Sequence, residues 1–442
     1  KFMELHGRVP EYHDEVESSA LDCLAAQLDT VIEGFTAFEL NGRQGRRHRR
    51  SIRVFLGFRP ATALDIRRLS DSLVNDVLPF DPQARHGRDI ALDWFLAQRL
   101  EPPANDQLER AIRSTVHEYE IGLQETIYSR LSAASKAVID RMLAGDDSDA
   151  VDDSTNTIDT AATFAQLKAD LGKSSRDNLL LGIERRQAID VIGLVAEVFK
   201  GVPVKFIDQF RQRCATESIR ELRRHPAPIR YSMVAMFCWR RRQQLTDGLV
   251  DMLLQIIHTI GTRAEKKIDK KQFAAFKKVR GKARLLYKVA EATVDQPDGV
   301  VKEVVYPVVS QKMLKDLVAE FGVLSTDVER EVQETMRSAY SHYYRGVLMP
   351  VLDALMFRSN NAVHRPVIDA LAVLQANRDS RRQYYDVDEV PIEGVIPKKW
   401  RHIVIDLAKD GIERVNRIDY EVCVLRALRK RLRIKEIWVE GA

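Results

Sequence analysis

IRYSMVAMFCWRRRQQLTDGLVDMLLQIIHTIGTRAEKKI, running from Ile229 to Ile268, is the stretch on which the fold class turns. Its apolar residues Ile229, Met233, Met236, Phe237, Leu249, Leu253, Ile256 and Ile260 return at helical spacing, which puts a continuous stripe on one face of an α-helix. Pro226 and Pro228 stand at its entrance, where a first turn tolerates a missing amide. Gly261 suits a left-handed cap, so the spacing predicts a stop there. A second helix, Ala264 to Ala292, then carries most of the lysines. The most apolar part, Leu249 to Ile260, is interrupted by Asp251, Gln255 and His258, which marks a buried helix and not a membrane span.

The same period extends outward. Ser19 to Leu40 places Leu21, Leu24, Leu28, Ile32 and Phe35 on roughly one face, and Thr62 to Leu78 repeats the pattern. Asn105 reads as an N-cap for the helix that follows it. Gly145 to Thr160, GDDSDAVDDSTNTIDT, is acidic and has no apolar stripe, so it reads as a linker. A calcium loop is the alternative, but the ligand spacing, central Gly and final Glu are missing. Helices resume near Thr163, Arg185 and Phe206, fill Gln311 to Ala376, and return at Lys398 to Arg433 after a break at Pro391 to Pro397. The expected class is all-α: multidomain helical bundles joined by an acidic linker, with one short strand possible at Arg433 to Val439. The expected boundaries are 1–145 for an N-terminal helical domain of DNA-binding type, 146–160 for the linker, 161–300 for a basic helical domain, 301–390 for a further helical domain, and 391–442 for a helical lead-in to something beyond. No internal repeat is present.

At 442 residues the chain is too long for one core. Its 45% hydrophobic and 30% charged residues exclude disordered, collagenous and membrane-spanning classes. Cys23, Cys214, Cys238 and Cys423 are scattered, without metal spacing, as in a reducing cytoplasm. The net charge of +5 conceals an uneven distribution: Arg220 to Ala290 holds 18 Lys and Arg against 5 Asp and Glu, or +13, leaving −8 for the rest. Such a block points either to a polyanionic partner or to a solvated charged face.

Three basic constellations stand out. The first spans the two central helices. Arg240, Arg241 and Arg242 fan over about 200° of helix and cannot share one contact surface, so one is expected to snorkel or to pair internally. Lys266, Lys267, Lys270, Lys271, Lys277, Lys278, Arg280, Lys282 and Arg284 follow at spacings that suit a phosphate track. Phe273, Phe276 and Tyr287 interleave with them and are expected on the core face. The second is RRHRR, with Arg46, Arg47, Arg49 and Arg50 after Gly42 and Gly45: a flexible turn for a minor groove, or an exposed loop. The third is FRSNNAVHRPVIDALAVL, Phe357 to Leu374, where Arg358, Asn360, Asn361 and Arg365 precede a helix. Those side-chain types read guanine and adenine edges; the same spacing also makes an ordinary polar cap.

Catalytic patterns fail on inspection. Gly172-Lys173-Ser174 lacks the upstream Gly and strand of a phosphate loop. His342, Arg345 and Tyr420 form too short a match to a tyrosine recombinase. No metalloprotease His/Glu pair is present, and no carboxylates sit on convincing strands as a two-metal nuclease requires.

Ile229 to Ile268 resembles the middle region of the TnpA transposases of the Tn-three family. So does FRSNNAVHRPVIDAL. FLGFRPATALDIRRLSDSLVNDVLPFD, Phe55 to Asp81, is similar to the latter part of that family's N-terminal domain, and VCVLRALRKRLRIKEIWVEGA, Val422 to Ala442, to the lead-in to its catalytic domain. The resemblance runs in order along nearly the whole chain. It implies a cytoplasmic enzyme, homodimeric at full length, that binds the terminal inverted repeats of a class II transposon and makes a replicative cointegrate. Its chemistry uses two Asp and one Glu with Mg²⁺ in an RNase H-like domain expected after the end of this sequence. No catalytic or metal-binding residue and no cofactor is therefore carried onto this chain. The expectation is a DNA-binding scaffold for transposon ends, with double-stranded DNA as partner, no membrane and no small-molecule substrate. The rival is a protein-interaction scaffold for dimerisation, with DNA gripped elsewhere.

Overall fold

The computed structural model describes every residue except 11, 30–34, 36, 37, 41, 145–163, 325–327, 408–410 and 442, and gives the backbone alone at 275, 278–281 and 320–324. The stretch read as an acidic linker lies outside the described residues. The fold is mainly helical, with a few short strands. Two compact units emerge: residues 1–156 with 191–240, and residues 157–190 with 241–442.

In the first unit, Thr62 starts the helix Ala63–Ser72 through a capping box. The Thr62 amide donates to Asp65 Oδ2 at 2.9 Å, and the Asp65 amide returns a bond to Thr62 Oγ1 at 3.4 Å. Arg59 then forks the same carboxylate at 2.6 and 2.9 Å. This guanidinium, with Thr62, holds the Asp65 carboxyl well below the usual carboxylate range. The helix runs on into a wider π-turn, Leu73–Val77, and Leu69, Leu73 and Leu78 pack with Phe95, Leu100 and Leu108. The helix Asn105–Arg130 is entered from Ala104, one residue before the expected cap.

The central helix is a single element, Ala227–Gly281. Its start explains the composition of the opening stretch: every residue from Tyr231 to Cys238 is buried. A helix apolar on all sides belongs in the middle of a core. The Tyr231 hydroxyl donates to Asp140 at 2.7 Å and its ring stacks on Tyr128, with centroids 5.6 Å apart. The expected stop at Gly261 does not occur. Ile256, Ile260, Ala264 and Ile268 carry the buried stripe across the glycine, and this packing outweighs the cost of about 1 kcal/mol for Gly inside a helix.

In the second unit, Leu249, Leu253, Ile256 and Ile260 pack in one core with Tyr340, Leu348, Leu352, Leu371, Tyr420, Val424 and Leu428. Two small antiparallel sheets border it. Glu413–Asn416 pairs on its two sides with Tyr384–Asp386 and Ile405–Leu407, and Phe357–Arg358 pairs with Trp438–Val439. The last confirms the C-terminal strand; the others are two to four residues long, too short for alternation to register.

Glu421 is fully buried. It accepts from Arg345 Nε at 2.8 Å and Nη2 at 3.1 Å, from Arg417 Nε at 2.9 Å and from the Tyr340 hydroxyl at 2.8 Å. Arg417 places its other nitrogens on the carbonyls of Asn377, Arg378, Ser380 and Arg382. One carboxylate thus fixes two guanidinium groups, and one of those ties the 377–382 segment to the helix Arg417–Arg433.

Candidate nucleic-acid interface

The structure sorts the basic residues by what their charges already touch. Arg240 forks Asp208 at 2.8 and 3.0 Å. Arg241 donates from Nε to the Leu167 carbonyl at 2.7 Å and from Nη2 to the Ala169 carbonyl. Arg242 pairs with Asp190 at 2.5 Å. All three, not one, are engaged in intramolecular contacts.

Beyond Ile268 the picture changes. From Asp269 to Val304 no described side chain is buried. At about 100° per residue, Lys266, Lys270 and Lys277 fall within about 40° of one another, opposite Ile257, Ala264 and Ile268 on the buried side. They form a straight row along about 16 Å of helix, away from the core. Lys267 and Lys271 belong to a neighbouring row, where Lys271 pairs with Glu331 at 2.5 Å. Side chains of Lys278 and Arg280 lie outside the described residues. Lys282 precedes the next helix, Ala283–Asp295, in which Arg284 is exposed.

The aromatic residues of this segment are not core. Phe273 is 60% exposed, Phe276 52% and Tyr287 65%. The long helix has left its core before they occur, so helical period no longer implies burial. Lys277 Nζ sits 4.8 Å from the Phe273 ring centre. Exposed rings between lysines are what a surface that stacks on bases or covers sugar edges requires.

The RRHRR run is helical. It lies in Arg43–Leu56, and Gly45 is needed for packing: a Cβ there would stand 2.0 Å from the Leu40 carbonyl oxygen. Arg46, Arg47 and Arg50 are exposed, Arg49 is partly buried, and His48 stacks on Phe38 at 5.5 Å. In the turn before Arg365–Ala376, Asn361 is a cap, accepting from the Val363 amide at 3.0 Å, and Arg358 pairs with Glu440 at 3.1 Å. Asn360 and Arg365 remain exposed.

Sequence reading missed a basic cleft of about 730 Å³ in the second unit, lined by Arg426, Arg429, Lys430, Arg431 and Arg433 together with His258. Arg426 lies over the Trp400 ring at 4.2 Å and Arg429 donates to the Leu254 carbonyl at 3.3 Å. Lys430 and Arg433 are exposed. The signal was present as RALRKRLR, Arg426 to Arg433, but only the fold sets it beside the long helix. Among the described residues no three His, Cys, Asp or Glu side chains gather closely enough to hold a metal ion. No described helix is long and apolar enough to cross a membrane.

Comparison with known proteins finds transposases. The transposase for transposon Tn2501 of Escherichia coli is 22% identical over 446 residues, covering 99% of this chain and 42% of that protein. The chain is similar to the TnpA transposases of the Tn-three family. The transposase for transposon Tn21 of Escherichia coli is 22% identical over 95% of the chain and 41% of its own length. The transposase for transposon gamma-delta of Escherichia coli K12 is 25% identical over 246 residues, 55% of this chain and 24% of that protein. The chain thus spans about two-fifths of the length of the first two relatives. No family model matches it.

Proposed function

We propose that this chain is a DNA-positioning scaffold of a transposase and binds the duplex at transposon ends in the cytoplasm. The observation that carries the reading is the exposed helical tract beyond Ile268, with its row of Lys266, Lys270 and Lys277 and its uncovered Phe273 and Phe276. Lysines facing solvent in line with the helix axis neutralise backbone phosphates and give affinity without sequence preference. Asn360 and Arg365 are the exposed side chains suited to base edges. This reading assigns the chain no catalytic residue, and an assay for Mg²⁺-dependent nicking by the chain alone tests that assignment.

The test is binding of the purified chain to a transposon-end duplex and to a scrambled duplex across a salt series. Preference for the end at physiological salt supports end recognition. Equal, salt-sensitive binding leaves positioning only. Absence of binding even at low salt overturns the proposal. A second reading rests on the same tract: the helix Ala283–Asp295 buries none of its side chains, and Leu286 and Tyr287 are exposed, as a dimer-forming face would be. Sedimentation of the free chain separates the two, since a DNA track leaves it monomeric and a dimer face does not.

A further inference from the structure

A second basic cleft, of about 810 Å³, lies in the second unit. Arg337, His342, Arg345, Arg381, Arg382 and Arg417 line it, with Ser338 and Ser341 among them and no Asp or Glu among its lining residues. Its wall is formed where the helix Val328–Ala339 widens into the π-turn Tyr340–Tyr344 before the helix Arg345–Ala354 begins. Such turns weaken the local hydrogen-bond ladder and recur at functional sites, where they redirect side chains. Here the turn brings residues 337, 341, 342 and 345 to one cleft.

The cations divide by role. Arg417 is saturated by Glu421 and four carbonyls and serves as a strut. Arg382 is answered by Glu389 at 3.1 Å and Asp386 at 3.7 Å. Arg337 gives Nη1 to buried Asp419 at 3.1 Å. Arg345 gives Nε and Nη2 to Glu421, which it shares with Arg417, and keeps Nη1 available. Arg381 is exposed and has no ion-pair partner among the described residues. Two guanidinium groups therefore face this cleft with incomplete compensation. One of them is fixed from behind, the arrangement that favours a phosphate over bulk water.

We propose that this cleft is a phosphate site, in which Arg345 and Arg381, with the hydroxyls of Ser338 and Ser341, hold one phosphodiester of the bound duplex. The proposal rests on the DNA reading above and adds a fixed point to it: a single phosphate held in place, where the lysine row tolerates sliding. The same chemistry would accept a free phosphate group, and the experiment separates the sources.

Arg381→Gln is the main variant, because the side chain is exposed and plays no part in the Glu421 network. Arg345→Lys, which keeps the charge and loses the fork, is the second. Binding is measured for duplexes carrying one neutral methylphosphonate at each backbone position in turn. The intact chain is expected to lose affinity at one position or a close pair, and Arg381→Gln to lose that sensitivity while binding the unmodified duplex about eightfold less tightly at 0.1 M salt, the value of one phosphate contact. The same interference pattern in the intact chain and in both folded variants overturns the proposal while the DNA reading stands. If the intact chain binds no duplex, the DNA reading fails by itself, and thermal stabilisation by inorganic phosphate decides the site. Stabilisation abolished by Arg381→Gln retains a phosphate site for a free ligand, and no stabilisation overturns it.

Discussion

Replacing Lys266, Lys270 and Lys277 together by Gln tests the DNA track most directly. The three lie in one line on the side of the helix opposite Ile257, Ala264 and Ile268, and none has a carboxylate partner among the described residues. Each can neutralise one phosphate, and each such contact contributes about 0.9 to the slope of log K against log salt. The triple variant is therefore expected to flatten that slope by up to about 2.7 and to weaken binding at 0.1 M salt by up to about 500-fold. Lys271→Gln is the internal control: Glu331 already holds that ammonium at 2.5 Å, so the slope should change by well under one contact. Fluorescence anisotropy with a labelled duplex between 50 and 200 mM salt gives both numbers, and circular dichroism confirms an intact helix. An unchanged slope in a folded triple variant refutes the track, and an equal loss from Lys271→Gln refutes the geometric sorting.

Other consequences concern the folded state. Glu421→Gln leaves the buried guanidinium of Arg417 without its counter-charge and is expected to cost about 3–5 kcal/mol in urea unfolding, whereas Glu389→Gln at the exposed pair with Arg382 should stay within about 1 kcal/mol. Thr62→Ala removes a capping oxygen and should cost about 1 kcal/mol, read as a lower melting temperature. The Asp65 carboxyl titrates below its ordinary range in the folded chain. Its contribution is thus complete above the ordinary carboxylate value and is lost as pH falls below about 4. Asp65→Asn should shrink the difference in melting temperature between pH 7 and pH 3, and an undiminished difference would assign the acid sensitivity elsewhere.

The helical class was legible because long stripes such as Ile229 to Ile260 repeat the period many times. Where the chain departs from that reading, a local rule lost to tertiary packing or to its absence. Gly261 carries a stop signal, yet Ala264 and Ile268 extend the buried face past it. Phe273 and Phe276 on the long helix and Tyr287 on the next keep a core-like spacing where no described side chain is buried. Asn361 was readable as a cap or as a base reader, and its contact with the Val363 amide makes it a cap. The Arg345–Arg381 cleft was invisible because its walls come from residues 337–345, 380–384 and 416–418, segments that no spacing rule connects.

The +13 block is therefore not the footprint that a charge count suggests. Its N-terminal share includes Arg240 and Arg242, which answer Asp208 and Asp190, and Arg241, which answers backbone carbonyls. Arg220, Arg224 and Arg263 are also exposed, but the exposed tract near the end of the long helix and after it carries Lys266, Lys267, Lys270, Lys277, Arg284 and Lys288. If those six make all the phosphate contacts, the salt slope cannot exceed about 5.4. A slope at or below that value keeps the duplex on the helical tract. A steeper slope requires further cations, and beyond the Arg345–Arg381 cleft, which adds one contact, the exposed Arg46, Arg47 and Arg50 on their own helix or Lys430 and Arg433 are the candidates. Separate Gln substitutions at the two groups then identify the second contact by which one lowers the slope, because each lost phosphate contact removes about 0.9 from it.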